Sequence, residues 1–393
     1  MSITKPRILL YSHDTYGLGH LRRSLTVAEG LARDLPAAHQ LLLTGSMVAG
    51  AFGLPPRLDL IKLPALSKRS SGEYTARALP LSLKTTLRWR EQMILEAAQV
   101  FRPDVVLVDK APAGVQGELL PTLRYLKSWL PQTRLVLGMR DIEDSPDKTI
   151  KEWQAAGIPD LHDQVYDRIL LYGQREVFDP VRAYRMSSHA EAKMVECGYL
   201  GRANVNRPAV VVRRELGLGD EPLIVVTVGG GGDGFDVIKT YLDMLAEWPG
   251  GAPFYSFIAT GPLMAQGRRQ LLRQAARTNH LQIVEFTPDL PSYLAAADLV
   301  VSMAGYNTTC EILSLGRRSL LIPRVRTRLE QCIRAERLAE RELVQMLHPD
   351  LLSPSRLATA VQHALSLPLP QVTLNLNGLT HVGRTISAML NEQ

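Results

Sequence analysis

The sequence contains little cysteine. Its three cysteines, Cys197, Cys310 and Cys332, lie far apart and form no Cys-x-x-Cys pair. This spacing indicates neither a disulfide framework nor a cysteine-based zinc site. Proteins without structural disulfides are typical of reducing compartments, so we expect a cytoplasmic protein.

Aromatic residues, basic tracts and long apolar runs are also scarce. Only 6% of the residues are aromatic and the 45 lysines and arginines are dispersed, so we expect no nucleic-acid partner. No apolar run approaches the roughly 18 residues of a membrane-spanning helix. The first residues lack the apolar segment of a secretory signal. The net charge of +6 still favours anionic partners such as nucleotides or phospholipid surfaces.

The 393 residues exceed what one compact core holds, so we expect two domains. Continuous apolar runs alternate with amphipathic helices, which is typical of doubly wound α/β domains with parallel sheets. We expect an N-terminal domain over 1–205 and a C-terminal domain over 206–377, with a final helix over 378–393 that packs back on the first domain. The predicted strands are 8–11, 40–44, 58–63, 104–108, 135–138, 168–171, 223–228, 254–259, 281–286, 298–302 and 319–322.

Two segments of the first domain allow more than one interpretation. Residues 66–82 predict a long, mobile surface loop, either functional or merely an excursion of the chain. Residues 79–101 mix apolar side chains such as Leu79 and Trp89 with basic ones such as Lys84 and Arg88. This mixture fits an interfacial helix in peripheral contact with a membrane, but also a helix that only covers the sheet.

The most informative stretch, residues 303–323, predicts a strand, a small-residue turn at Gly305, a helix from about Thr308 and a second strand. Such a turn directs backbone N–H groups and the positive end of the helix at one point, which suits a phosphate. Glu311, less than two turns further on, can accept hydrogen bonds from sugar hydroxyls. The alternative is an ordinary βα turn with a solvated glutamate.

A second glycine-rich turn follows the first strand of the C-terminal domain, where Gly229, Gly230, Gly231 and Gly232 are consecutive. The missing side chains allow the backbone to approach a diphosphate closely. Four consecutive glycines also cost chain entropy, which favours a ligand over a purely flexible connection.

Three further groups follow strands of this domain. Phe286 and Thr287 are expected beside the Gly305 turn, where their backbone could read a pyrimidine edge. Glu330 and Gln331 begin a helix and offer hydrogen-bonding groups for sugar hydroxyls. The arginines at 324, 326 and 328 are suited to a phosphate or a carboxylate. For Arg326 and Arg328, a solvated charged loop is the alternative interpretation.

The first βα turn supplies the candidate base. Gly17 and Gly19 permit a tight turn, and His20 follows at the start of a helix. A helix N-terminus disfavours a charged imidazole, and a neutral one can act as a general base. Asp14 and His13 are rival bases on the same turn, and a histidine that only caps the helix is the structural alternative.

Together these motifs resemble those of the GT-B superfamily of glycosyltransferases, and most closely those of the family 28, MurG-like group, which includes the N-acetylglucosaminyltransferase of lipid II synthesis. The resemblance implies two Rossmann-like domains facing a central cleft. It also implies inverting, metal-independent transfer from a nucleotide diphosphate sugar, with UDP as the expected nucleotide, and without a further cofactor. The implied acceptor is a bacterial glycan, a lipid-linked molecule or a small molecule of unknown identity.

The resemblance also assigns residues to roles. It implies His20 as the catalytic base, for which Asp14 of the same turn is the alternative. We expect Gly17, Gly19 and Arg140 on the acceptor side and no metal ligands. The implied donor-binding residues are Gly229, Gly230, Gly231, Gly232, Phe286, Thr287, Gly305, Tyr306, Asn307, Thr308, Glu311, Glu330 and Gln331.

Two other activities remain open for the same fold. One is a UDP-sugar 2-epimerase, and the other is a non-catalytic accessory subunit that binds a nucleotide sugar. Exopolysaccharide or glycoconjugate synthesis is the expected setting, in the cytoplasm or at the inner face of the membrane.

Overall fold

A computed structural model describes residues 5–13, 18–68, 74–202, 205–276, 278 and 280–392. The chain divides into two compact units. Unit 1 comprises Met1–Leu200 and Asn377–Gln393, and unit 2 comprises Gly201–Leu376. The final helix therefore lies in unit 1.

The strands and helices have the following bounds. The strands are β1 (Arg7–Ser12), β2 (His39–Thr44), β3 (Leu58–Lys62), β4 (Leu66–Lys68), β5 (Tyr74–Ala76), β6 (Val105–Asp109), β7 (Arg134–Arg140), β8 (Arg168–Tyr172), β9 (Met194–Glu196), β10 (Leu223–Thr227), β11 (Tyr255–Ala259), β12 (Leu281–Val284), β13 (Leu299–Ser302), β14 (Ser319–Leu321) and β15 (Gln345–Met346). The helices are α1 (Gly19–Asp34), α2 (Leu83–Phe101), α3 (Leu120–Trp129), α4 (Pro146–Ala155), α5 (Ile158–Asp160), α6 (Pro180–Ala183), α7 (Ser188–Ala192), α8 (Ala209–Glu215), α9 (Phe235–Glu247), α10 (Gln266–Ala275), α11 (Leu290–Ala296), α12 (Tyr306–Ser314), α13 (Glu330–Ala339), α14 (Pro354–Ser366) and α15 (Gly378–Asn391).

Unit 1 is built on a parallel sheet with the strand order β3-β2-β1-β6-β7-β8-β9. Its central strands are apolar throughout because helices cover both faces; every residue of β6 is buried. α1 buries an apolar stripe that includes Leu21, Leu25 and Leu31. α15 packs against α1, where Leu379 lies next to Gly30.

Two predictions for unit 1 were wrong in part. Residues 66–82 do not form one long loop, because β4 and β5 pair as an antiparallel hairpin. Residues 69–73, between the two strands, lie outside the described residues. The helix expected from residue 79 begins at Leu83, where Ser82 caps it by accepting a hydrogen bond from the backbone N–H of Thr85.

Unit 2 is a second parallel sheet, with the strand order β12-β11-β10-β13-β14-β15. β10 and β13 are adjacent, and the chain runs outward from them in opposite directions across the sheet. The core consists of apolar strand residues packed against α9 and α14, including Ile238, Leu242, Leu357 and Val361. The predicted α/β class with two doubly wound parallel sheets is confirmed.

Candidate functional site

The carboxyl ends of β1 and β6 form the topological switch point of unit 1, where ligands bind in open α/β sheets. β1 leads through the first glycine turn to α1, which carries His20 in its first turn. β6 ends at Asp109. The sheet order therefore brings together two residues that are far apart in the sequence.

His20 and Asp109 are hydrogen-bonded. Nδ1 of His20 lies 2.7 Å from Oδ2 of Asp109. An ionised carboxylate only accepts, so in the tautomer that bonds to Asp109 the hydrogen lies on Nδ1 and Nε2 keeps its lone pair. Nη2 of Arg23, which can only donate, lies 3.0 Å from the same Nδ1. A neutral imidazole in this tautomer can remove a proton from a hydroxyl group.

Arg23 completes the group. Its Nε donates to Oδ1 of Asp109 at 2.6 Å, and its Nη2 donates to Oδ2 at 2.8 Å. Burial alone would raise the pKa of Asp109, but the Arg23 charge and the His20 hydrogen bond hold that pKa well below its usual value. Asp109 is therefore ionised at neutral pH.

Burial determines the state of His20. It lowers the pKa of His20 and outweighs the opposing effect of Asp109, while the nearby charge of Arg23 acts in the same direction as burial. Burial also lowers the pKa of His13 well below its usual value. The two rings meet edge to face, 5.2 Å apart between centroids. Both histidines are therefore neutral near pH 7, and His13 stays a rival base.

The other predicted residues of unit 1 lie near this point or outside the described ranges. Asp14 and Gly17 are outside the described residues. A Cβ added to Gly19 would meet no atom within 4 Å, so the α1 start is open there. Arg140 ends β7 and lies 3.5 Å from Glu143. Lys110, which the sequence did not single out, lies 3.3 Å from the same carboxylate.

A buried ionic network lies behind the end of β1. Arg90 forms two hydrogen bonds of 2.6 Å to Glu118, and the hydroxyl of Tyr11 donates to Glu118 at 2.6 Å. All three side chains are buried. The network joins β1, α2 and the segment after β6, and so fixes the strand that leads to His20.

The switch point of unit 2 lies between the carboxyl ends of β10 and β13. The glycine-rich turn follows β10, and the Gly305 turn follows β13. These two predicted phosphate-binding turns are therefore neighbours within unit 2.

The glycines of the first turn have different roles. Gly231 has φ +87°, and a Cβ there would lie 2.1 Å from the carbonyl oxygen of Thr260, so the fold itself requires this glycine. Gly229 has φ +63° and open space around the position of a Cβ. Gly230 accepts a hydrogen bond of 2.8 Å from the N–H of Leu263. Gly232 completes the run and is half-buried.

The second turn is supported from α13. Arg334 is buried, and its Nη1 donates to the carbonyl oxygen of Ala304 at 2.9 Å. Ala304 adopts the left-handed conformation with φ +59°. Gly305 follows in an extended conformation, with no atom within 4 Å of a Cβ position. The fold does not need a glycine at 305, so this position has room for a ligand.

Helix α12 begins at Tyr306, earlier than predicted. Tyr306 is buried under the guanidinium of Arg334, which lies 5.6 Å from the ring centroid. Asn307 and Thr308 lie in the first turn, and Thr308 is buried. Glu311 is also buried, with 2% of its surface exposed. The alternative of a solvated glutamate is therefore wrong.

Glu330, the first residue of α13, is paired with Arg324. Its Oε1 accepts from Nη2 of Arg324 at 2.6 Å, and Nη1 of Arg324 donates to Asp233 at 2.8 Å. Oε1 of Gln331 accepts from the backbone N–H of Arg324 at 3.0 Å. Glu330 is thus paired with an arginine, rather than being an acceptor available only to a sugar.

Phe286 and Thr287 follow β12, at the edge of the sheet. β11 and β10 separate β12 from β13, so the prediction that this segment lies beside the Gly305 turn was wrong. Strand spacings of about 4.8 Å separate the two strand ends by roughly 14 Å. Phe286 is partly exposed, and the hydroxyl of Thr287 accepts from the N–H of Asp289 at 3.2 Å.

In the described part of the chain, no group of three His, Cys, Asp or Glu side chains could hold a metal ion. No helix among those residues is long and apolar enough to cross a membrane.

A known family profile matches most of the second unit. Residues 224–375 match the profile of the glycosyltransferase family 28 C-terminal domain. These residues include both glycine turns, Glu311 and α13. The predicted resemblance to the MurG-like group is thereby confirmed.

The curated relatives extend the match with lower identity. A UDP-N-acetylglucosamine–N-acetylmuramyl-(pentapeptide) pyrophosphoryl-undecaprenol N-acetylglucosamine transferase from Caldicellulosiruptor saccharolyticus is 30% identical over 28% of this chain and 30% of its own length. The protein of the same name from Alkaliphilus oremlandii is 24% identical over 79% of this chain and 76% of its own length. The chain thus matches under a third of the length of the first of these relatives.

Solved structures show the fold. The calicheamicin glycosyltransferase CalG4 matches with a TM-score of 0.58 and 15% identity, covering 98% of this chain and 95% of that protein. MurG from Acinetobacter baumannii matches with a TM-score of 0.58 and 13% identity, covering 99% of this chain and all of that protein. The predicted GT-B fold is confirmed.

Proposed function

We propose that this chain, whose second unit carries the glycosyltransferase family 28 C-terminal domain, is an inverting, metal-independent glycosyltransferase. It moves a sugar from a nucleotide diphosphate sugar to a hydroxyl group of a glycan, a lipid-linked molecule or a small molecule. The donor is its substrate, and the reaction needs no other cofactor.

One observation carries this proposal. Gly305 lies directly at the start of α12, next to the glycine-rich turn, in a conformation any residue can adopt and with space where a side chain would be. Backbone N–H groups at a helix start bind phosphate well. We assign Glu311, within the same helix, to the ribose hydroxyls as their hydrogen-bond acceptor. The match of residues 224–375 to the family profile supports the same assignment.

The relatives support a UDP-linked donor. Their name describes transfer of N-acetylglucosamine from UDP-N-acetylglucosamine to a lipid-linked acceptor. We assign a UDP-sugar to unit 2 of this chain on that basis.

The reaction proceeds by a single displacement. Nε2 of His20 removes the proton of the acceptor hydroxyl as its oxygen attacks the anomeric carbon from the face opposite the diphosphate. The bond from that carbon to the diphosphate oxygen breaks, and its electron pair leaves with UDP. Asp109 stabilises the imidazolium that forms. The N–H groups of the two glycine turns stabilise the charge on the departing diphosphate.

An exposed apolar and basic surface of unit 1 supports peripheral membrane contact. Leu79, Leu81 and Trp89 are 42%, 37% and 45% exposed. Exposed basic side chains accompany them at Arg77, Lys84 and Arg88. Apolar groups mixed with cations suit an anionic lipid surface, so we place the protein in the cytoplasm, at the inner face of the membrane.

Flotation with vesicles tests this location. The wild-type protein is expected to float with vesicles that contain anionic lipid and to remain behind with neutral ones. Trp89→Ala should weaken flotation, whereas Trp129→Ala, which removes an even more exposed tryptophan of unit 1, should not. Equal behaviour of the two variants would contradict the assigned surface.

Turnover tests the reaction itself. The purified protein is incubated with UDP-N-acetylglucosamine or UDP-glucose and a panel of glycan, lipid and small-molecule acceptors, and UDP release is followed. A product with inverted anomeric configuration, absent with His20→Ala, is the expected result. Formation of the 2-epimer without an acceptor would instead assign an epimerase, and UDP binding without any turnover would assign an accessory subunit.

A further inference from the structure

Arg324 connects two segments of the proposed donor site without belonging to either. It follows β14, and its guanidinium joins Asp233, at the end of the glycine-rich turn, to Glu330, the first residue of α13. The two bonds use different nitrogens of the same planar fork, at 2.8 and 2.6 Å. A lysine could not reproduce both, because its charge is a single point without this fixed geometry.

The backbone of Arg324 also fixes Gln331. Its N–H can only donate, so the contacting atom of the Gln331 side chain, 3.0 Å away, is the amide oxygen. The amide nitrogen of Gln331 is then the group that can donate to a ligand. Glu330 beside it is an acceptor whose orientation the guanidinium sets. The side chain and the backbone of one residue thus orient both neighbouring groups.

We propose that Arg324 is a positioning residue that sets Glu330 and Gln331 for the hydroxyl groups of the donor sugar and holds them in register with the diphosphate turn. This inference rests on the proposed function, since it presumes a nucleotide diphosphate sugar in unit 2. Arg324 contacts the carboxylates of Asp233 and Glu330, so we expect its effect to fall on the sugar half of the donor. Glu311 and Gly305, which we assign to the nucleotide half of the donor, lie beside a turn that Arg334 stabilises separately.

The charges agree with this role. Burial opposes the charge on Arg324, but Glu330 and Asp233 raise its pKa above the usual value, so the guanidinium stays protonated. Its side chain is 28% exposed and that of Glu330 is 6% exposed. Removing the cation would leave a buried carboxylate without this partner, which costs more than losing a surface ion pair.

Calorimetric titration with two probes tests the inference. UDP reports the nucleotide half, and UDP-N-acetylglucosamine reports both halves. For Arg324→Gln, UDP affinity should stay within about twofold, whereas the ratio of the Kd of UDP-N-acetylglucosamine to that of UDP should rise about tenfold, as expected for lost hydrogen bonds to a charged group. The donor KM should rise with the same ratio.

Matched variants separate positioning from general damage. Arg326→Gln removes an exposed arginine of the same segment and should leave the ratio unchanged. Asp233→Asn keeps the shape of a half-exposed side chain and should move the ratio in the same direction as Arg324→Gln, by less. Arg324→Lys should recover part of the loss because it keeps the charge.

The outcomes are distinguishable. Wild-type protein that binds neither probe would overturn the proposed function and this inference with it. Wild-type protein that binds both, together with an Arg324→Gln variant that matches Arg326→Gln or that weakens both probes equally, would overturn the inference alone. Should Arg324→Gln fail to fold, the ratio measured for Asp233→Asn decides in the same way.

Discussion

The imidazole of His20 and the carboxylate of Asp109 meet at 2.7 Å although 89 positions separate them in the sequence. The contact exists because β1 and β6 are neighbours in the sheet, with Leu10 opposite Leu107 and Tyr11 opposite Val108. Asp109 in turn is held by Arg23, one turn along α1 from His20. The order of the strands in the sheet therefore brings the candidate base and its carboxylate partner together.

Substitutions at this pair should affect turnover and leave donor binding intact. His20→Ala removes the base and should lower kcat by about 10²–10⁴. Asp109→Asn leaves the shape but no longer favours the tautomer with hydrogen on Nδ1, so a loss of about tenfold or more is expected. UDP titration should give wild-type affinity for both. Asp59→Asn, an exposed substitution in unit 1, is the control; full activity of Asp109→Asn would contradict the role assigned to the pair.

The pH dependence of kcat/KM should show an acid limb below pH 6.5. The base works when neutral, and burial lowers the pKa of His20 below its usual 6.5, so activity should be constant near pH 7 and fall only at lower pH. Asp109 raises this pKa, so Asp109→Asn should move the limb to still lower pH. A limb above pH 6.5 in the wild-type protein would contradict the assignment.

Stability should also fall in mild acid, because of His162. Burial lowers the pKa of this residue to about 4, and its Nε2 is buried without a hydrogen-bond partner among the described residues. As the pH falls, His162 is protonated in the unfolded chain before it is protonated in the folded protein. The contribution of His162 to the free energy of unfolding is therefore complete above pH 6.5 and decreases as the pH falls toward 4. A shift of this size corresponds to about 3 kcal/mol.

His162→Phe isolates this contribution. It keeps an aromatic ring against Trp153, whose centroid lies 5.0 Å from that of His162. Denaturant unfolding at pH 7 and pH 5 should show a smaller difference in the variant than in the wild-type protein. An unchanged difference would mean that other groups account for the acid sensitivity.

Two glycines of unit 2 should respond oppositely to the same substitution. Gly305→Ala adds a methyl group in open space at φ −63°, so the fold should survive while UDP affinity falls severely because the methyl group occupies the proposed phosphate position. Gly231→Ala would place a Cβ 2.1 Å from the Thr260 carbonyl oxygen at φ +87°, so it should destabilise unit 2. Thermal unfolding and UDP titration of both variants make the comparison. Normal UDP binding by a folded Gly305→Ala variant would remove the turn from the site.

The regular sheets could be predicted from the sequence because a strand buried on both faces must be apolar along its length. β6 and β10 show this plainly, since all their residues are buried. β9 and β15 were missed because they are only two or three residues long, at sheet edges. The β4–β5 hairpin was missed because such a short pair takes its stability from packing rather than from a local pattern.

The site was predictable where a local motif marks it, and not where partners come from distant strands. His20, Gly305 and Glu311 follow glycine turns and could be named in advance. Asp109 carries no local signal, because its partners are decided by strand order. Arg324 was named as suited to a phosphate or a carboxylate, but its pairing with Glu330, six positions later, depends on a turn whose conformation the sequence does not reveal.

Titration of UDP into Glu311→Gln tests the central claim most directly. The substitution keeps the size of the buried side chain and removes its charge, and thermal unfolding checks that the fold is retained. UDP should bind the wild-type protein and bind the folded variant at least about tenfold more weakly, the loss of a charged hydrogen-bond acceptor for the ribose. Equal UDP affinity in the two proteins would contradict a nucleotide diphosphate held beside α12.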